Sequence, residues 1–414
     1  IILSFDQFLA LCTENPLQYI RNSAQYILDT FDYFNHHTPD YNDLITHQRF
    51  NIFDSGTERS GPIVGGENIQ WELYKSIKKF TRSGYIDKLI ILHGPNGSAK
   101  SSTVETIAEA MQSYCQTNEG ATYQFNWIFP TDKELTQLHP GESQPIGFSK
   151  STTPNENTSF ALLDEQKISA KLSSEFRENP LYLIPMPYRE ELLRKWIAAY
   201  QKKPESEVKL PPHILAQGLS KKNFQIFECL LNAYDGNLSK VLKHIQVERF
   251  FYSKQYRVGI SKIEPQMSFD AHENQITMDR NYSKLPPILQ TISFHEYCGE
   301  LVEANRGLLE FSDFLKRPLE SFKYLLNTVE QNTINLSSGS IRLDTVMIAT
   351  TNEKHLDGFK NIPEFSSFRG RFDMIPFPYL LLSSQEKQIY SRDIRAIKET
   401  REVAPHSLEV LCNW

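Results

Sequence analysis

The sequence predicts an α/β fold, a mostly parallel sheet with helices on both of its faces, preceded by N-terminal helices and interrupted by a helical insert. Three observations predict it. The apolar run Leu89-Ile90-Ile91-Leu92 leads straight into a glycine-containing loop, residues 94–101. A helical pattern follows at once, with Val104, Ile107, Ala108 and Met111 at spacings of three and four. A strand-helix-strand pattern returns over residues 300–376 and includes the buried-strand run Val346-Met347-Ile348-Ala349. Alternation of strands and helices in this manner implies parallel pairing with covered faces.

Residues 1–35 read as helices. Phe5, Phe8, Leu9, Leu17, Ile20, Tyr26, Ile27 and Phe31 recur at helical spacing after a candidate cap at Ser4, and Asn15-Pro16 divides the pattern in two. Residues 36–62 are polar and loop-like, with Phe50, Ile52 and Phe53 as a short strand. Gly65-Gly66-Glu67 opens a helix that runs through Phe80. Residues 121–129 alternate and read as a second strand. Residues 130–158 are rich in Pro, Gly, Ser, Thr and Asn and form a loop or insert. Residues 186–256 read mainly as helices with a polar break at 202–212, and residues 263–280 as a weak hairpin. The implied division is an N-terminal helical segment (1–60), the first part of the α/β domain (61–185), a mainly helical insert (186–290), the second part of that domain (291–378), and the start of a lid (379–414).

The loop itself reads Gly94-Pro95-Asn96-Gly97-Ser98-Ala99-Lys100-Ser101 and is followed by Ser102. It fits the phosphate-binding pattern G-x-x-x-x-G-K-[ST] except that Ala99 replaces the last glycine. Backbone N–H groups of such a loop wrap a β-phosphate, Lys100 reaches the β- and γ-phosphates, and the Ser101 hydroxyl can ligate Mg²⁺. The helix N-terminus behind it favours an anion. An alanine at positive φ costs roughly 1 kcal/mol, which the loop absorbs or avoids by a small change of backbone angle.

Bulk properties exclude several function classes. At 414 residues the chain has room for two or three packed units. A net charge of −6 gives no global electrostatic case for nucleic-acid binding. The five cysteines are scattered without a C-x-x-C pair, which argues against a zinc site or disulfide scaffold and fits a reducing cytoplasm. No run of 18 apolar residues exists, so no membrane span is expected. The chain begins at Ile1 and ends at Trp414 in a polar stretch, and reads as a piece of a longer protein.

Hydrolysis needs a carboxylate to organise Mg²⁺ or activate water, a polar group to orient that water, and often an arginine for developing charge. Two segments compete for the carboxylate strand. Phe160-Ala161-Leu162-Leu163-Asp164-Glu165 is the better string. Gly307-Leu308-Leu309-Glu310-Phe311-Ser312-Asp313 is weaker, because Ser312 stands where Asp is usual, yet it makes Glu310 and Asp313 candidates, the latter also for metal. The strand Val346-Met347-Ile348-Ala349-Thr350-Thr351-Asn352 favours the second. It resembles the sensor strand of AAA+ ATPases, in which an asparagine holds the attacking water and one helix separates the carboxylate and sensor strands. Residues 314–336 supply one helix, whereas 166–345 contain far too much. A cap is the plainer reading of Asn352. Phe368-Arg369-Gly370-Arg371-Phe372-Asp373 resembles the AAA+ segment whose arginines reach a neighbouring subunit's γ-phosphate.

The match is closer still over Glu303-Ala304-Asn305-Arg306-Gly307-Leu308-Leu309-Glu310-Phe311-Ser312-Asp313-Phe314-Leu315-Lys316-Arg317-Pro318, Thr351-Asn352-Glu353-Lys354-His355-Leu356, Pro378-Tyr379-Leu380, Val247-Glu248-Arg249-Phe250, Glu264-Pro265-Gln266 and Glu14-Asn15-Pro16. These resemble the bacterial PrkA family, named serine protein kinases. The resemblance covers most of the chain and implies that family's N-terminal AAA+ module, a P-loop NTPase using ATP and Mg²⁺. It also implies a homo-oligomeric ring, a hexamer among the sizes it allows, that works on a protein substrate or regulatory partner. The C-terminal region to which the family's kinase activity is attributed would be absent. Ala99 and Ser312 depart from the general AAA+ consensus. No H-R-D-x-x-x-x-N or D-F-G signature occurs, and no serine nucleophile for a peptidase stands out. Three readings stay open: the ATPase module of a kinase, an AAA+ remodelling ATPase, and an ATP-dependent switch with little turnover.

Overall fold

Leu89, Ile90, Ile91 and Leu92 are fully buried because their strand is covered on both faces, Ile90 and Leu92 packing into one core and Leu89 and Ile91 into another. The computed structural model describes residues 1–35, 50–54, 61–131, 159–266, 272–275, 285–286, 289, 295–317, 325, 328–336, 339–363, 365–398 and 403–412. In chain order its strands are β1 (Ile2–Ser4), β2 (Leu89–His93), β3 (Thr122–Pro130), β4 (Ile168–Ser173), β5 (Ile245–Phe250), β6 (Ile260–Ile263), β7 (His272–Gln275), β8 (His295–Cys298), β9 (Gly307–Phe311), β10 (Thr333–Leu336), β11 (Gly339–Arg342), β12 (Thr345–Thr351) and β13 (Phe372–Pro376).

Five strands form a wholly parallel sheet in the order β13-β2-β12-β9-β6. The loop strand β2 therefore lies at the inside of the sheet, and the strand ending in Asn352 separates it from the strand carrying Glu310. Helices α3 (Ser23–Asn35), α4 (Glu67–Ser83) and α5 (Lys100–Tyr114) cover the face to which Ile90, Leu308, Val346 and Ile348 point. Leu309, Phe311, Met347 and Ala349 point the other way, toward Leu356, Phe359 and Phe368 from the helices Glu353–Lys360 and Phe365–Arg369. The fold is thus the α/β P-loop NTPase arrangement expected.

A second sheet, β1-β5-β3-β4, is antiparallel and lies apart from the first. Its core holds Phe125, Trp127 and Phe129 from β3 with Phe5 and Phe8 from α1 (Phe5–Glu14) and Leu193 and Ile197 from the helix Met186–Gln201. Trp127 Nε1 donates to Asn223 Oδ1 at 3.0 Å, so its polar atom is satisfied in the core. Asp344, just ahead of β12, holds the start of α3 to the parallel sheet, accepting from the N–H of Ser23 at 2.9 Å and from its hydroxyl at 2.8 Å. Arg306, ahead of β9, donates to the Tyr123 carbonyl at 2.5 Å.

Several local expectations hold. Ser4 caps α1 with a complete capping box, its hydroxyl accepting from Gln7 N at 3.3 Å while Gln7 Oε1 accepts from Ser4 N at 2.8 Å. Asn15 ends that helix and Pro16 starts α2 (Pro16–Tyr19). Others are corrected. Residues 51–53 form a 3₁₀ turn with Ile52 and Phe53 buried, not a strand. Residues 245–250 are strand β5, not helix, because β3 and β1 flank them and bury Ile245 and Val247 on one face. Residues 121–129 do form a strand, but in the antiparallel sheet. The weak hairpin at 263–280 is not formed as such: β6 belongs to the parallel sheet and β7 pairs with β8. The interval 314–336, read as one helix, has a 3₁₀ turn at Phe314–Lys316 and ends in β10, which pairs with β11 just ahead of β12. The insert at 132–158 lies outside the described residues.

Candidate functional site

The site starts from the loop after β2. Gly94 passes so close to the segment after β13 that an added Cβ would lie 2.0 Å from the Phe377 carbonyl oxygen, and its N–H donates to Thr351 O at 3.2 Å. Gly97 has φ +83° and open space beside it. Ala99 adopts φ 64° and ψ 17°, so the alanine takes the left-handed conformation and the loop does not avoid it. The turn sets Lys100 as the first residue of α5, whose N-terminus has no side-chain cap. Its first-turn N–H groups, among them those of Ser101 and Ser102, are the donors that an anion takes up at a helix start.

Lys100 is buried, and the loop closes on it. Its Nζ donates to Gly94 O at 2.9 Å, Pro95 O at 2.6 Å and Ser98 Oγ at 3.1 Å, while the Ser98 hydroxyl donates to Pro95 O at 2.9 Å. Burial lowers the Lys100 pKa, and the negative charges of Asp313 and Glu353 act against that shift. These two carboxylates are the acidic groups that the loop cation feels.

The sheet register separates the sequence-predicted carboxylates. Glu310 lies opposite Ile348, and His93 at the end of β2 lies opposite Thr351, three residues further along β12. Glu310 is thus about 10 Å behind the loop end of the sheet. It is buried, paired with Lys262 Nζ at 3.4 Å, and its pKa is raised by burial against the pull of Lys262. Asp313 extends β9 to the level of the loop. Its N–H donates to Thr350 Oγ1 at 3.3 Å, its backbone has φ 45°, and its Oδ2 accepts from Lys316 Nζ at 2.7 Å. Ser312, with its N–H on Ile263 O at 2.9 Å, brings no charge there. Asp164 and Glu165 are exposed around a 3₁₀ turn, outside either sheet, whereas Gly307–Phe311 is a strand of the parallel sheet.

Asn352 ends β12 and caps the helix Glu353–Lys360, its Oδ1 accepting from His355 N at 3.0 Å. The cap reading is therefore right about its oxygen, and its Nδ2 makes no hydrogen bond among the described residues. Arg371 is engaged within its own chain, by Glu330 Oε2 and by Ser367 O at 2.8 Å. Arg369 is exposed and makes no ion pair among the described residues. Two groups that the sequence reading did not single out lie at the same end of the sheet. His93, the last residue of β2, has its Nδ1 2.8 Å from Glu353 Oε1. The one signal for Glu353 is its place directly after Asn352.

The described residues contain no cluster of three His, Cys, Asp or Glu groups able to hold a metal by themselves. An exposed Ser101 hydroxyl and the Asp313 carboxylate fit Mg²⁺ of the kind that keeps waters and substrate phosphate oxygens for the rest of its shell. No helix among the described residues is long and apolar enough to cross a membrane.

The family model described as the PrkA AAA domain matches residues 144–414, more than half of the chain. The chain belongs to the PrkA AAA family. The phosphate loop lies ahead of the matched residues, and strands β6, β9, β12 and β13 lie within them. A curated relative, "ATP-dependent protease PrkA" of Bacillus subtilis (strain 168), is 27% identical over 61% of this chain and 37% of its own length. "Serine/threonine kinase YeaG" of Escherichia coli (strain K12) is 25% identical over 44% of this chain and 29% of its own. The chain thus spans about a third of the length of the curated relatives it matches. A solved structure of NtrX from Brucella abortus with ATP matches at TM-score 0.24 and 13% identity, over 55% of this chain and 51% of that one, a superposition too loose to say anything of the site. Family membership and the loop geometry together support ATP binding by this PrkA AAA module.

Proposed function

We propose that the chain is an ATP-hydrolysing AAA+ module that binds Mg-ATP on residues 94–102. The observation that carries this is the Lys100 ammonium, drawn into its loop at the end of a parallel sheet with the carboxylates of Asp313 and Glu353 acting on it. In this reading phosphate oxygens displace the loop carbonyls from Lys100, and the uncapped start of α5 receives the anion. Asp313 and Ser101 hold Mg²⁺, which supplies neutralisation of phosphate charge. Asn352 Nδ2 orients the attacking water, and Arg369 or Arg371 serves the site of a neighbouring copy in a homo-oligomeric ring.

Kinase and protease activities belong to the names of relatives, which disagree. A remodelling ATPase is the second reading, favoured by the absence of a protein-kinase signature; a slow ATP-dependent switch is the third, favoured by the strained Ala99 and by Ser312 at the strand end. Incubation with γ-labelled ATP separates them. Label on protein serine supports a kinase, free phosphate that rises with an unfolded protein supports a remodeller, and retained ATP without turnover supports a switch. Failure to bind ATP at all would remove all three.

A further inference from the structure

Arg306, the residue ahead of β9, has one side of its guanidinium fixed and the other open. Its Nη1 donates to Tyr123 O at 2.5 Å and to Arg177 O at 2.8 Å, and the group lies over the Phe250 ring, 5.3 Å from its centre. Nε and Nη2 make no hydrogen bond, and the side chain no ion pair, among the described residues. These two groups form the edge that takes a carboxylate or phosphate in two parallel bonds. A second cation stands beside it. The pKa of buried Arg177 is lowered to about 10, by desolvation first and by the positive charge of Arg306 as well.

Arg306 lines a cavity of about 360 Å³ between the hairpin β10–β11 and the segment that leads into the helix Lys221–Ala233. That volume is of the size of small-molecule sites. Exposed Arg342 of β11 stands in its wall. Two acids also line it, but other donors occupy them. Asp344 accepts from Ser23, and Glu178 from the Ser174 hydroxyl, the Ser220 N–H and Asn223 Nδ2. Neither forms an ion pair with Arg306. Gly218 and Gly339 leave the walls open, with nothing within 4 Å of an added Cβ. We propose that this cavity binds a small molecule through a carboxylate or phosphate group held on Nε and Nη2 of Arg306. The site is separate from the phosphate loop. Gly307 pairs with Thr345 and His93 with Thr351, the two ends of a six-residue step along β12. Arg306 therefore lies about 20 Å from the loop, at the opposite end of the sheet.

Titration calorimetry without nucleotide tests this on the Lys100→Ala protein, which lacks the cation of the phosphate loop. Inorganic phosphate and glutarate are the probes, and the tighter one identifies the group that the site takes. Arg306→Lys, added to that protein, keeps the charge and can still reach the backbone carbonyls, but it lacks the paired N–H edge. It should weaken the better probe by about tenfold or more. A second addition, Gly218→Asp with Arg342→Glu, puts negative charge at two exposed positions of the cavity wall and leaves Arg306 in place. It should weaken the same probe by at least as much, with a thermal unfolding midpoint near that of its parent, and it decides the matter if the Arg306 variant unfolds. Binding within about threefold of the parent in either folded variant would overturn the site. So would failure of the Lys100→Ala protein to bind either probe. Neither result depends on ATP binding or hydrolysis, which the wild-type protein reports separately.

Discussion

The Lys100 ammonium donates to the Pro95 carbonyl at 2.6 Å, the shortest of three bonds by which the phosphate loop encloses its own cation. In the proposed reading the lysine exchanges these carbonyl oxygens for phosphate oxygens when ATP binds. Lys100→Ala removes the point charge that makes this exchange favourable. ATP affinity should fall by about 10²-fold or more in titration calorimetry, with an unfolding midpoint close to wild type. Wild-type affinity in that variant would sink the assignment of the loop.

Ala99 holds a left-handed conformation, φ 64°, that glycine adopts without cost. Ala99→Gly should therefore raise stability by up to about 1 kcal/mol, since the relief of strain exceeds or balances the added entropy of the unfolded chain. Denaturant unfolding at unchanged slope measures it. A clear loss of stability would mean that the methyl group packs more than the strain costs.

Asp313 and Glu310 should separate in kinetics. Asp313→Asn is expected to retain ATP and slow phosphate release by roughly 10²-fold, in keeping with a metal-organising carboxylate at the loop. Glu310→Gln should stay within a few-fold of wild type, because the residue lies about 10 Å behind the loop end and serves its pair with Lys262. The reverse order of effects would place the chemistry one pleat deeper than the register does.

Arg371 shares its guanidinium with Glu330 of the same chain, whereas Arg369 is exposed. If the module forms a ring, Arg369→Ala should spare ATP binding and reduce turnover by about 10³-fold, the size of a finger supplied by a partner. Arg371→Ala should do so only if the ion pair opens on assembly. Mixing either arginine variant with Lys100→Ala subunits tests sharing, since each lacks a different half of the site. Recovery above the separate activities supports a shared site, and co-assembled mixtures without recovery count against it.

Buried His244 has its pKa lowered to about 4 by desolvation, with its Nδ1 on Ile128 O at 2.8 Å and its Nε2 on the Tyr234 hydroxyl at 2.7 Å. A histidine depressed in the folded state stabilises it fully above its unfolded pKa, about 6.5. That contribution is lost as pH falls from there toward 4, by roughly 3 kcal/mol in all. Unfolding free energies measured between pH 7 and 4 should show this slope, and His244→Gln should flatten it. An equal slope in that variant would assign the effect to other groups.

Much of the site is written in short stretches. The run at residues 89–92, apolar at every position, demands a strand buried on both faces; the loop after it and the helical period after that demand a phosphate site; and the Ser4 cap needs only its neighbours. That residues 307–311 are a buried strand of the same sheet as the Asn352 strand was also legible, from their apolar run. What tertiary structure decided are pairings over long range. Residues 245–250 are a strand only because β1 and β3 flank them. Glu310 and Asp313, three residues apart, are placed one behind the loop end and one level with it only once the register with β12 is set. Arg371 meets Glu330, and His93 meets Glu353 from 260 positions away. Local sequence encodes propensity and burial period, whereas a contact between distant side chains depends on which strands become neighbours, and that is determined by the packing of the whole sheet.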